Sequence, residues 1–143
     1  MRLSVTTPRG SLIDTDVEEV TAPGALGEFG ILPGHIPFLS ALRPGVLAYR
    51  TKEGQRVLAV SEGILEVAST AKGEQVLVLV AEAKTAPSID RDSAAAELIE
   101  AEKQLTDWKG DLGGDYQALR ARASWAEARV NAVAKSGHNG PAH

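Results

Sequence analysis

Gly27-Glu28-Phe29-Gly30-Ile31-Leu32-Pro33-Gly34-His35-Ile36-Pro37 is the stretch around which this chain organises itself. Gly30, Pro33, Gly34 and Pro37 punctuate the backbone at close intervals, and they bracket apolar residues that a solvated linker would not carry. The stretch reads as a shaped, packed loop. On both sides of it, through residue 84, the apolar signal alternates or runs in short β-branched blocks: Leu3-Ser4-Val5, then residues 17–20, 45–50, 57–60, 64–67 and 76–80. Gly24, Gly34, Gly45, Gly54, Gly63 and Gly73 recur at intervals of roughly ten residues, the spacing of turns between the short strands of a sandwich or barrel. Lys52-Glu53-Gly54-Gln55 and Ala71-Lys72-Gly73-Glu74 read as hairpin tips. The pattern predicts an antiparallel β-sandwich over residues 1–86.

The pattern then changes. Pro87 disfavours helix at Ala86, which sets a boundary there, and the residues beyond it carry helical patterning. Asp90 is placed to cap a helix, Asp92 sits near the positive end of its dipole, and Ala94, Ala95 and Ala96 are strong helix formers. Leu98, Ala101, Leu105, Trp108 and Leu112 step by three and four along one face. Gly110, Gly113 and Gly114 break that helix, and Asp115 is the expected cap of a second one running to about Lys135. Leu119, Ala123, Ala126, Val130 and Val133 give it a matching stripe, so residues 87–135 predict an antiparallel two-helix hairpin. Its face is alanine-rich and removes little apolar area from water, which makes it an arm that depends on what it leans against. Residues 136–143 carry no apolar pattern and are expected to be disordered. The whole is an α+β chain, mainly β.

Composition narrows the function classes. Hydrophobic residues make up 43% of the 143, but only 4% are aromatic, so the core must be aliphatic. A net charge of −4 lacks the clustered cations that displace counterions from phosphates, which excludes nucleic acid as a partner. With no cysteine there is no thiol nucleophile, disulfide or thiolate metal site. The first residues hold no apolar run of signal-peptide length, and the longest apolar stretch, residues 76–81, is far short of the ~20 residues that cross a bilayer. Membrane association is therefore expected only through partners.

No catalytic set assembles. His35 is the sole histidine of the folded body, and its neighbours offer no group to orient it as a base; His138 and His143 lack the spacing of a helical ligand pair. Gly24-Ala25-Leu26-Gly27-Glu28-Phe29-Gly30 lacks the Lys and Ser/Thr of a phosphate-binding loop. No cofactor and no metal are expected.

Residues 27–47, Gly-Glu-Phe-Gly-Ile-Leu-Pro-Gly-His-Ile-Pro-Phe-Leu-Ser-Ala-Leu-Arg-Pro-Gly-Val-Leu, closely resemble the signature stretch of the epsilon subunit of rotary, F-type ATP synthases. The resemblance continues through Ser61-Glu62-Gly63-Ile64-Leu65-Glu66-Val67, Ile89-Asp90 and an Ala- and Arg-rich final helix. It implies a non-catalytic central-stalk subunit that couples the gamma shaft to the c-subunit ring, on the cytoplasmic face of a bacterial plasma membrane. It also implies an arm that folds down or extends toward the catalytic alpha and beta subunits to restrain ATP hydrolysis. The family's shaft and ring contacts map onto Glu28, Phe29, Gly30 and His35, and the basic positions of the extended arm onto Arg122 and Arg129, seven residues apart on one face. Some members bind ATP through Ile/Leu-Asp-x-x-Arg-Ala at the start of the arm. Here the stretch is Ile89-Asp90-Arg91-Asp92-Ser93-Ala94, with Ser93 in the arginine position, so Ile89 and Asp90 remain as nucleotide contacts without the guanidinium. A nucleotide-sensing module whose arm closes on ATP is the alternative reading.

Overall fold

The computed structural model describes residues 1–138. Ten strands come first: β1 (Arg2–Thr7), β2 (Gly10–Asp16), β3 (Glu19–Gly24), β4 (Gly27–Ile31), β5 (Phe38–Leu42), β6 (Gly45–Thr51), β7 (Gly54–Val60), β8 (Gly63–Thr70), β9 (Gly73–Val80) and β10 (Ala83–Thr85). A 3-10 turn, Ala86–Ser88, leads to α1 (Arg91–Thr106) and α2 (Gly114–His138).

One local rule shapes the hairpins. In Thr7-Pro8-Arg9-Gly10, Thr51-Lys52-Glu53-Gly54 and Thr70-Ala71-Lys72-Gly73, the threonine and glycine face each other across the ladder. Each closing glycine has a left-handed φ, between +110° and +122°, which only glycine adopts without strain. Each threonine Oγ1 accepts the N–H of the residue two on, at 3.1–3.2 Å. The threonine supplies the turn with an acceptor that water would otherwise provide.

The strands run in the order β10-β7-β6-β3-β5-β8-β9-β1-β2, with β4 pairing β3 off this path. All pairs are antiparallel except β1 with β9. β3 is the corner. It pairs β6 through Glu19, Val20 and Thr21, and meets β5 only where Gly24 faces Leu42, so the path turns there into two layers. Alternation along the strands then buries one side chain in two. Leu3 and Val5, Leu65 and Val67, and Val76 and Val78 point into the sandwich and are almost completely buried.

The arm lies against the outer face of β6 and β7. Ala48, Val57 and Ala59 of that face pack with Ala86, with Ala128 and Ala132 of α2, and with the half-buried Ile89 and Trp125. The two helices meet separately through Ala101, Leu119 and Ala123. α2 therefore uses two faces, one for α1 and one for the sheet.

The expected sandwich and hairpin are present, and several local expectations are corrected. Of the presumed loop 27–37, the first five residues form β4, which leaves residues 32–37 as the loop. Val17 is buried but lies between β2 and β3, with its N–H on the Met1 carbonyl at 2.8 Å. Four strands, β2, β4, β5 and β10, carry no strand pattern in the sequence because they are short, edge-placed or rich in glycine and polar residues. α1 stops at Thr106, so Leu112 falls off its stripe and stands 67% exposed. Trp108 lies just beyond the helix, donating its indole N–H to the Asp111 carbonyl at 2.8 Å. Asp115 sits inside the first turn of α2, where its charge suits the helix dipole, and Asp111 accepts the Gly113 N–H ahead of it. Residues 136–138 of the expected tail continue α2; residues 139–143 lie outside the described residues.

Candidate functional site

Residues 32–37 join β4 to β5 across one end of the sandwich. Leu32 and His35 close a turn through an N–H to carbonyl bond of 3.1 Å, and Gly34 between them has φ +89°. The His35 Nδ1 lies 2.8 Å from the Ile36 carbonyl, which makes Nδ1 the donor and leaves Nε2 as an acceptor in the neutral ring. The His35 ring rests on Phe38 at 4.9 Å, and Phe38 meets Phe29 edge-on at 5.4 Å. These rings plug the end of the core, leaving Leu32 and Ile36 exposed, the latter 74%.

The four expected contact residues divide between two settings. Phe29 and His35 belong to the aromatic plug, whereas Glu28 and Gly30 occupy alternate, outward positions on β4. Gly30 has neither a left-handed φ nor a crowding neighbour, so turn geometry does not explain it; backbone geometry requires glycine in this stretch at Gly27, φ +136°, and at Gly34. Beside Glu28, the fully exposed Leu26 at the β3–β4 tip lines a groove with Phe29 and Leu39. Farther along the same layer Ile64 and Leu79, cross-strand neighbours on β8 and β9, are also exposed. The result is a surface of aliphatic side chains around the exposed Glu66, which faces Leu39 across the ladder, with the Glu28 carboxylate and the His35 imidazole at its edge. In sequence Glu74 is only part of a polar hairpin tip. In space it is the side chain that reaches this loop, with its carboxylate on the Gly34 N–H.

The arm carries the remaining candidates. Asp90 caps α1: its Oδ1 accepts the Ser93 N–H at 3.1 Å, and Ile89 packs against the sheet. Arg129 is mostly buried, donates to the Trp125 carbonyl at 3.4 Å, lies over the Trp125 ring and forms an ion pair with Glu97 of α1. Arg122 and Lys84 add their fields to that carboxylate. The Arg129 hydrogen bond, assisted by these charges, holds the Glu97 carboxyl below the usual range against a smaller opposing effect of burial. Arg129 is thus engaged within the arm, and Arg122 is exposed. Among the described residues there is no cluster of three metal-ligating side chains and no helix long and apolar enough to cross a membrane.

The family model of the β-sandwich domain of the ATP synthase delta/epsilon chain matches residues 1–86. The ATP synthase epsilon chain of Geotalea uraniireducens is 43% identical over 105 residues, 73% of each chain, and epsilon chain 2 of Syntrophotalea carbinolica is 36% identical over 137 residues, 96% of each. The chain belongs to the family of epsilon subunits of F-type ATP synthase. Among solved structures it is similar to a chain in the Euglena gracilis mitochondrial ATP synthase, in an OSCP/F1/c-ring assembly. That likeness has a TM-score of 0.70 and 25% identity, and covers 95% of this chain and 80% of the other. The second of the two relatives is matched through both helices, so the arm and the sandwich belong to this family together.

Proposed function

We propose that this chain is a non-catalytic central-stalk subunit that couples the gamma shaft to the c-subunit ring during ATP synthesis. The observation that carries the reading is the exposed surface around the β4–β5 loop, where Leu26, Ile36 and Leu39 stand in solvent beside Glu28 and His35. A monomer gains nothing from exposing such a patch, and a rotor joint is a permanent interface that would cover it. Glu28, Phe29, Gly30 and His35 are the shaft and ring contacts in this reading. Membrane attachment runs through those partners, on the cytoplasmic face of a bacterial plasma membrane. The arm restrains ATP hydrolysis by leaving β6 and β7 and presenting Arg122 and Arg129 to the alpha and beta subunits, and Arg129 exchanges Glu97 for an acidic partner as it does so.

Co-elution on size exclusion tests the joint. The chain should elute with a gamma-containing catalytic head and not with a head lacking gamma; no complex at micromolar concentration removes the reading. Hydrolysis by the assembled enzyme should rise when residues 88–143 are deleted, and unchanged hydrolysis removes the inhibitory role.

Nucleotide sensing by the arm is the second reading. The surplus of cation at Arg129, Arg122 and Lys84 around Glu97 favours it, while Ser93 in place of arginine and the use of Asp90 as a cap weigh against it. Heat released on titrating the full chain with ATP, and lost in Arg122→Ala, would establish it; no heat at millimolar ATP would end it.

A further inference from the structure

Glu74 lies on the side of β9 that carries Val76, Val78 and Val80 into the core. A carboxylate on that side would be buried at a heavy cost if it stood one pair of residues farther in. At the rim it meets the β4–β5 loop instead. Both of its oxygens accept the Gly34 N–H, at 2.8 and 2.7 Å, joining residues 40 apart in the sequence.

The loop has little else to hold it. Leu32, Pro33, Gly34, Ile36 and Pro37 are exposed, and its other ties are the Leu32–His35 turn, the His35 Nδ1 bond to the Ile36 carbonyl and the packing of His35 on Phe38. A carboxylate binds an amide N–H more strongly than water does, and with two oxygens on one N–H the contact survives rotation of the carboxyl group. The left-handed φ at Gly34 lets the amide face that carboxylate while the chain reverses.

We propose that Glu74 is a positioning residue for docking: its carboxylate holds the loop in the form that presents His35 and Ile36 to the gamma shaft, so ordering is complete before the shaft arrives. This rests on the loop being the docking surface. Holding a loop in its bound form raises affinity by removing the cost of ordering it during association, without adding a contact to the partner.

The test combines amide NMR of the full chain with binding to a gamma-containing catalytic head, for Glu74→Ala, Glu74→Gln and Ile36→Ala. In Glu74→Ala the Gly34 amide proton should move upfield and exchange faster, the melting temperature should fall by no more than a few degrees, and affinity should fall about ten-fold, the worth of one charge-assisted hydrogen bond. Glu74→Gln, which keeps one acceptor oxygen, should recover part of both signals. An unmoved Gly34 amide, with binding still weakened by Ile36→Ala, overturns the clamp and leaves the docking reading standing. A moved amide with affinity unchanged in both Glu74→Ala and Ile36→Ala overturns the proposal by removing the docking reading beneath it. A moved amide with affinity lost in Ile36→Ala alone overturns the positioning role itself.

Discussion

The sandwich and the arm are packed by different means. Leu3, Ile31, Leu47, Leu58 and Leu65 fill the sandwich and are almost wholly buried, and each such side chain is worth about 1.5–3 kcal/mol when removed from water. Between the helices and against the sheet the buried residues are mainly Ala94, Ala101, Ala123, Ala126, Ala128 and Ala132, where each methyl contributes roughly 0.8 kcal/mol. Alanine lets backbones approach closely without interlocking. A surface made this way parts by withdrawing mainly small side chains, with Trp125 and Ile89 the large exceptions, which suits the releasable arm of the proposed function. The two regions should therefore respond differently to damage.

The largest effect belongs to the sandwich. A Cβ added at Gly63 would stand 2.0 Å from the Leu79 carbonyl oxygen and 2.8 Å from the Val80 Cα, both backbone atoms of the facing strand. Gly63→Ala must push β8 from β9 and should cost about 3 kcal/mol, read as a lower urea midpoint for the whole chain. A loss confined to the arm would reverse the comparison.

Next comes the arm's seat. Ala132 is fully buried against β6 and β7, and Ala132→Glu places a charge there without a partner. Docking should weaken by about 2 kcal/mol. Trp125, half-buried in the same cluster, reports it: its emission should shift to the red while the sandwich melts near its usual temperature. If sandwich and arm melt together at a lower temperature, they form one cooperative unit and the description of a releasable arm fails. Smaller again is Asp90→Ala, which removes the acceptor of the Ser93 N–H and should cost about 1 kcal/mol, seen as loss of helical ellipticity at α1 before the sandwich melts.

Whether an element is legible in the residues depends on where its controlling interactions lie. β8 and β9 bury alternate side chains, and their apolar content announces them, by alternation through Leu65 and Val67 in β8 and by an unbroken β-branched and leucine run at residues 76–80 in β9. The cap at Asp90 is equally local, set by a side chain and an amide three residues on. β4 is hidden because Gly27, Gly30 and Glu28 look like loop chemistry, and only pairing with β3 makes it a strand. The Thr-x-x-Gly turns at Thr7, Thr51 and Thr70 are written in the sequence, but the spacing alone does not single them out, because Thr21-Ala22-Pro23-Gly24 shares it and runs inside β3. Glu74 has no local signal at all. Its partner is 40 residues away and is a backbone amide, which leaves no complementary side chain to notice. Arg129 shares a helical face with Arg122 and by that face alone would be solvated; Trp125 and Glu97 draw it inward, a pairing that depends on how α1 lies along α2.

The Glu97–Arg129 pair gives the smallest effect and a sharp division between the two regions, because it ties helix to helix and only the field of Lys84 on β10 reaches it from the sandwich. Arg129 holds the Glu97 carboxyl below its usual range, so the folded arm binds a proton there less readily than the unfolded chain does. The resulting stabilisation is fully present above the ordinary glutamate value of about 4.3 and is lost as pH falls through the lowered native value. Half of the Glu97 side chain is exposed, so solvent and salt screen the pair and its contribution is modest. Packing of the arm, followed by Trp125 emission, should hold steady from about pH 7 to 5 and weaken below about 4. Glu97→Gln should lower the plateau slightly and flatten the acid limb, with the sandwich unchanged. An acid limb equally steep in Glu97→Gln would assign the response to other carboxylates, and the hold on the arm would then rest on its alanine contacts alone.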